Sequence, residues 1–292
     1  MNVIKRYGSL YVMIIPVLAY FILFTFYPLV RGLIISMQEF RVIGDRPFVG
    51  FSNYAIVLQD PVFWQTMVNT VLIGGGTLII GFIAPIIVAL SLNEVIRAGF
   101  KKFTQMVIYF PHLFSWVVVG GIWIYMLSPD NGLVNGLLKL LGMDQPIHFM
   151  AEKEYARWIM IFSNVWKEMG YNCILYLAAM VSINPSLYEA ADMDGAGRWQ
   201  KIRYVTIPQL KSTMKVVFLI NLLGVFKIFD QIVVMSNGVI ARQVDVVMGY
   251  TYQKTFIDFK MGVATAAAYL VIILTLVLAY VIRKAIRYDD LD

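Results

Sequence analysis

The chain has 292 residues, 60% of them hydrophobic and only 14% charged, with a net charge of +6. That balance excludes a soluble globular domain and belongs to an integral membrane protein. The excess of basic residues does not signal nucleic acid, because no soluble basic segment carries it, and the lone Cys173 excludes an intrachain disulfide.

Six segments are long and apolar enough to cross about 30 Å of hydrocarbon as helices of about 20 residues. They are 11–37, 63–92, 105–127, 156–183, 213–235 and 261–282. The fold class expected is therefore an all-α membrane protein of six spans, forming a single domain over 1–292. The first run exceeds a signal-peptide core and is followed by no small-x-small cleavage site, so it reads as an uncleaved span. With the N-terminus inside, Lys5, Arg6, Arg97, Lys101, Lys102, Arg198, Lys201, Arg203, Lys211, Lys215, Arg283, Lys284 and Arg287 fall on the inner side. Both termini are then cytoplasmic. The basic inner face suits anionic lipid head groups.

Pro16 and Pro28 can each kink the first span. An outer loop follows over 38–62, with turns at Phe51-Ser52-Asn53-Tyr54 and Asp60-Pro61, and Trp64 marks an interface. Gly74, Gly75, Gly76 and Gly81 in the second span suit a hinge or, as the favoured reading, close helix packing. A short basic loop leads to Phe110-Pro111-His112 and the third span. In the outer loop 128–155, Leu133, Leu137, Leu140 and Leu141 share one face of a short amphipathic helix that Gly142 stops. A further outer loop spans 236–260. His112 and His148 lie too far apart in sequence to suggest a metal site.

The fourth span carries the costliest residues, because a charge near the bilayer centre costs roughly 2.5–3.5 kcal/mol on insertion scales. Lys167 lies about 15 Å past Arg157 at 1.5 Å per residue. Asn164, Lys167, Glu168, Tyr171 and Asn172 fall on one polar stripe, while Trp166 and Cys173 point away. Lys167 and Glu168 are neighbours in sequence and are not expected to face each other. The fifth span brings Lys227, Asp230 and Gln231 to a similar depth, so pairs of Lys227 with Glu168 or Lys167 with Asp230 are plausible. The group reads as a solute path or as a charge network that fixes helix register.

Between these spans lies a polar stretch, 184–211, that contains NPSLYEAADMDGAGRWQKIRYVTIPQL. Asn184 can cap a helix with Pro185 at its first position, and Gly195 can end it in a left-handed conformation. Asp192 and Asp194 sit near the helix C-terminus, where the macrodipole disfavours them, which suggests a cationic partner surface. Glu189-Ala190-Ala191, Asp194-Gly195-Ala196 and Ile207-Pro208 resemble the EAA loop of ABC importer permeases, with Val205 and Ile207 before the turn at Pro208. The Phe-x-Asn-Tyr and Asp-Pro-x-Phe stretches of the first outer loop resemble the maltose-type sugar permeases, as does Ser128-Pro129-Asp130-Asn131-Gly132-Leu133. So does Phe226 to Met235, although Ser236-Asn237-Gly238-Val239 replaces the usual Gly-Gly-Gly-Pro run. The wording around Trp166-Lys167-Glu168 is most similar to the branch that takes oligosaccharides derived from polysaccharides.

The resemblance implies a non-catalytic permease subunit of an ATP-driven sugar importer in a bacterial cytoplasmic membrane. Its coupling residues would be Glu189, Ala190, Ala191, Asp192, Asp194, Gly195 and Pro208. Its partners would be a second permease, two ATPase subunits that hold ATP and Mg, an extracytoplasmic sugar-binding protein and membrane lipid. No cofactor is expected on this chain, which has no G-x-x-x-x-G-K-[ST] phosphate loop. The alternative is an ion-coupled secondary transporter working through Lys167, Glu168 and Asp230, although no inverted repeat is visible.

Overall fold

The computed structural model describes residues 8–41, 43–143 and 145–285. Lys5, Arg6 and Arg287, used above for orientation, lie outside the described residues. Apart from one bridge between Gln38 and Phe48, no β-structure occurs among the described residues. Four helices are long and apolar enough to cross a membrane, and six spans result if each of two bent helix pairs is one span.

Helix α1 runs through Gly8–Phe21, a π turn at Ile22–Phe26, and Tyr27–Ser36. The π turn ends two residues before Pro28. A proline ring collides with the carbonyl four residues back and offers no N–H, and the widened turn absorbs this without breaking the helix. Helix α2 (Ser52–Gln59) leads to α3 (Pro61–Asn93). Asp60 does more than turn the chain: its Oδ1 accepts from the Val62 amide at 2.9 Å, so it caps α3 with Pro61 at the first position.

The described residues up to Phe63, with Tyr250–Ile273, form one compact unit. Buried Asn53 donates to the carbonyls of Ser36 and Gln38, both at 2.9 Å. Gly262 is needed there, since a Cβ would lie 2.4 Å from the Gln38 carbonyl oxygen. Tyr269 donates to the Leu29 carbonyl. Tyr250 donates to Asp60 Oδ2 at 2.9 Å, and burial together with that carboxylate pushes the phenol well above its ordinary range.

The second unit comprises the described residues of Trp64–Gly249 with those from Leu274 on. It holds the rest of α3, then α4 (Ala98–Tyr109), α5 (Trp116–Met126), α6 (Leu133–Leu140), α7 (Lys153–Val181) and α8 (Pro185–Met193). Helix α9 follows over 198–224, as Arg198–Lys201, a π turn at Ile202–Thr206, and Ile207–Gly224. Next come α10 (Asp230–Met235), α11 (Ala241–Val244) and α12 (Val247–Tyr252), the last ending across the boundary in the other unit. The final span, α13, is Met261–Ala285.

Three sequence expectations need correction here. The third span is broken: Phe110–Leu113 forms a tight 3-10 turn and the two helical pieces meet at 106°. Pro111 and the extended Phe114 and Ser115 end the helical hydrogen bonding at that point. The fifth span begins at Arg198, not 213, because α9 passes straight through Pro208. No turn forms there; a π turn again ends two residues before the proline. The same span then breaks at Ile228 and Phe229, instead of continuing to Met235.

α3, α7 and the α9–α10 region share one layering. Ile73, Met160, Val165, Ile232 and Met235 belong to one apolar cluster, and Ala89, Tyr176, Leu177, Leu210 and Val217 to another. Thr77 of α3, Lys167, Glu168 and Asn172 of α7, and Asn221, Lys227 and Asp230 of the α9–α10 region fall between the two clusters along the chain. Two glycines of α3 serve packing: Cβ atoms at Gly74 and Gly76 would lie 2.5 Å and 2.6 Å from the Val225 and Ile161 side chains.

Candidate functional site

Between the apolar clusters is a cavity of about 290 Å³. Its walls are the glycine face of α3, the start of α5, the middle of α7 and the broken end of α9. Gln231 fixes the break. Only 1% exposed, it donates to the Met160 carbonyl at 2.6 Å and to Ser163 Oγ at 2.8 Å, and accepts from Asn164 at 3.1 Å. The unwound backbone is thereby held against α7 by buried hydrogen bonds, which leaves its polar neighbours free to face the cavity.

Of the residues singled out in the sequence, Asn164, Glu168, Asn172, Lys227, Asp230 and Gln231 line the cavity. Lys167 and Tyr171 do not. Lys167 is buried at 7% exposure, and its Nζ donates to Glu168 Oε1 at 3.1 Å and to the His112 carbonyl at 3.3 Å. The expectation that Lys167 and Glu168 stay apart is wrong, because the long lysine stem curls back past its neighbour. The cross-span pairs do not form. Among the described residues, neither Lys227 nor Asp230 makes an ion pair.

His112 was missed as part of this group. Its Nδ1 lies 2.8 Å from Glu168 Oε2 and its ring stacks on Tyr171 at 4.9 Å. The broken third span delivers it, and Gly170 permits the approach, since a Cβ there would lie 2.3 Å from the Ile108 carbonyl oxygen. The His112 carbonyl that Lys167 reaches is freed because the chain turns extended at Phe114 and Ser115, directly after the turn that contains Pro111. Trp116, Thr77 and Asn221 also line the cavity and were not anticipated. The Thr77 hydroxyl is buried without a partner. The site thus offers an aromatic face, one cation, one free anion and several amides, which can exchange hydrogen bonds with a polar solute.

The polar stretch after α7 is ordered mainly by its own capping and local contacts. Asn184 Oδ1 accepts from the Ser186 amide at 3.0 Å, and Pro185 takes the first helical position. Gly195 has φ +74°, and the amides of Ala196 and Gly195 donate to the carbonyls of Ala191 and Asp192 at 2.9 and 3.0 Å. That double closure is the Schellman motif. Helix α8 has no buried residue. Glu189, Ala190, Asp192, Asp194, Gly195 and Pro208 are exposed, with Ala191 partly covered. Asp192 pairs with Lys201 inside the chain, so it does not require an outside cation; Glu189 and Asp194 pair with no described residue.

Residues 81–288 match the family described as binding-protein-dependent transport system inner membrane component. The chain belongs to that family. This permease is 34% identical over 262 residues to the polygalacturonan/rhamnogalacturonan transport system permease protein YteP of Bacillus subtilis (strain 168), covering 88% of this chain and 81% of the other. It matches a chain of a bacterial ABC transporter that imports the acidic polysaccharide alginate, with TM-score 0.89, 35% identity, and 97% and 96% of the two chains covered. A second structure of an alginate transporter, in complex with an alginate pentasaccharide-bound periplasmic protein, matches with TM-score 0.88 and 34% identity over 96% and 94%. The permease is therefore a transmembrane subunit of an ABC importer for a sugar or oligosaccharide, and the ion-coupled alternative falls away.

Proposed function

We propose that this chain forms half of the path for an oligosaccharide derived from an acidic polysaccharide. In this reading it sits in a bacterial cytoplasmic membrane, both termini inside, paired with a second permease. An extracytoplasmic binding protein delivers the sugar, and two ATPase subunits holding ATP and Mg dock on Glu189, Ala190, Ala191, Asp192, Asp194 and Gly195, with Pro208 in the helix behind. The observation that carries the reading is the cavity at the break of α9, where Lys227, Asp230, Asn172, Asn221 and Thr77 keep free polar groups toward one space. Support for an acidic cargo comes from the relatives' names, and Lys227 is the cation positioned to meet a carboxylate. Glu168 is paired with Lys167 and lies within hydrogen-bond distance of His112, so it orders the wall as well as lining it.

Uptake of labelled oligosaccharide by liposomes containing the assembled transporter, fed by loaded binding protein, tests this. Lys227→Met should lower uptake of uronate oligosaccharides about tenfold, the scale of one charge-assisted hydrogen bond, and leave a neutral oligosaccharide less affected. Thermal stability should hold, because Lys227 pairs with no described residue. Equal loss for both cargoes, or none for either, would falsify the role given to the cavity.

A further inference from the structure

Away from the transport cavity, two adjoining grooves of about 300 Å³ each lie where the end of α3 meets the start of α9. One has apolar walls from Ile87, Leu90 and Trp199; the other is polar, with Tyr188, Lys201 and Thr206. They share Glu94, Arg198 and Ile202. Most of the polar groove is already satisfied. Lys201 is paired with Asp192, and the Tyr188 and Thr206 hydroxyls meet at 2.9 Å. Glu94 and Arg198 are different: the carboxylate and the guanidinium border the same space, yet neither side chain bonds to any described residue. Beside them Trp199 is 82% exposed.

An acid and a base held apart beside an apolar wall suit a ligand that carries both charges and a hydrocarbon tail. Helix α3 is apolar and long enough to span a membrane, and Ile87, 58% exposed near its end, is open to an acyl chain, with Leu90 partly buried beside it. We propose that these grooves form a site for an aminophospholipid. Its phosphate is held by the Arg198 guanidinium and its primary ammonium by Glu94, while an acyl chain lies along Ile87, Leu90 and Trp199. A purely anionic lipid satisfies Arg198 but is repelled by Glu94. A choline head group carries the positive charge without an N–H to donate. Free phosphate leaves the apolar wall uncovered. The site is independent of which sugar is carried, so its failure leaves the transport reading untouched.

The assembled transporter, purified in mixed micelles of phosphatidylethanolamine, phosphatidylglycerol and phosphatidylcholine in equal amounts, can be assayed for retained lipid by native mass spectrometry. Phosphatidylethanolamine should be retained about tenfold over either competitor, the scale of one charge-assisted hydrogen bond. Glu94→Gln should abolish discrimination against phosphatidylglycerol, and Arg198→Gln should reduce retention of all three to background. Equal retention of the three lipids, or discrimination that survives both substitutions, overturns the proposal. So does displacement of the lipid by millimolar inorganic phosphate, which would mark a simple anion site. Cross-linking of a Leu90→Cys variant to an ATPase subunit in all resting complexes would assign the groove to that partner and equally overturn it. Should Arg198→Gln fail to assemble, the shift in preference of Glu94→Gln decides alone.

Discussion

Residues 184–197 and 225–247 both separate longer helices, yet they are held in place by opposite means. The first takes its shape largely from hydrogen bonds between residues a few positions apart: the Asn184 cap, the Gly195 closure, and the Gln200 side chain accepting from the Gly197 amide at 2.7 Å. The second is pinned from a distance. Gln231 reaches Met160 and Ser163, Asn69 donates to the carbonyls of Arg242 and Asp245 at 3.0 and 2.9 Å, and Arg157 donates to the Gln243 carbonyl at 3.1 Å. A locally closed segment can move as a unit against a partner without unfolding. A segment pinned at many distant points moves only with the helices that hold it.

The largest effect should follow from Gln231→Leu. It removes the three hydrogen bonds that tie the break to α7, two of them buried, at a cost of about 2–3 kcal/mol. The unfolding midpoint in detergent should fall by several degrees, and an unchanged midpoint would show that the break is not held from α7. Gly195→Val forces a β-branched residue to φ +74° at a cost of about 1–2 kcal/mol, although nothing within 4 Å obstructs its Cβ. Its penalty should appear in ATP-driven transport and co-purification with the ATPase, with little change in the unfolding midpoint. Asn184→Ala removes a cap worth about 1 kcal/mol. Hydrogen exchange should accelerate in α8 alone; acceleration spreading into α7 would erase the contrast between the segments.

The smallest effect concerns Asp245, whose carboxyl is pushed above its ordinary range of about 3.8 by burial, with Ser236 opposing. A raised folded-state value means that the folded protein holds a proton the unfolded chain has released. Stability from this residue is therefore lost as pH rises from the unfolded value through the folded one. Asp245→Asn should flatten that slope and raise the unfolding midpoint slightly at neutral pH. An unchanged slope in a pH series would show that the pinned segment does not bury this carboxyl.

What could be read in advance follows the same division. Asn184, Pro185 and Gly195 declare their roles through rules that reach no further than the next turn, and the loop helix appears where those rules put it. The breaks at Phe110–Leu113 and Ile228–Phe229 lie within apolar runs, where composition and length favour one unbroken span. They exist because tertiary partners satisfy the freed groups, and those partners are distant in sequence. His112 joined Glu168 for the same reason, across 56 positions. Pro208 misled in the other direction, since one extra residue per turn let the helix pass through it.

The uninterrupted passage through Pro208 has a mechanical consequence. Residues 198–224 make one stiff rod of about 40 Å at 1.5 Å per residue, with one end beside the exposed loop and the other beside the cavity wall. A tilt of only about 5° at the loop end sweeps the far end through roughly 3–4 Å over that length. The amplification needs no chain of small side-chain adjustments between the two ends. It needs a lever that does not bend at its proline, and an articulation at Ile228 and Phe229 where the sweep becomes a change in the shape of the cavity.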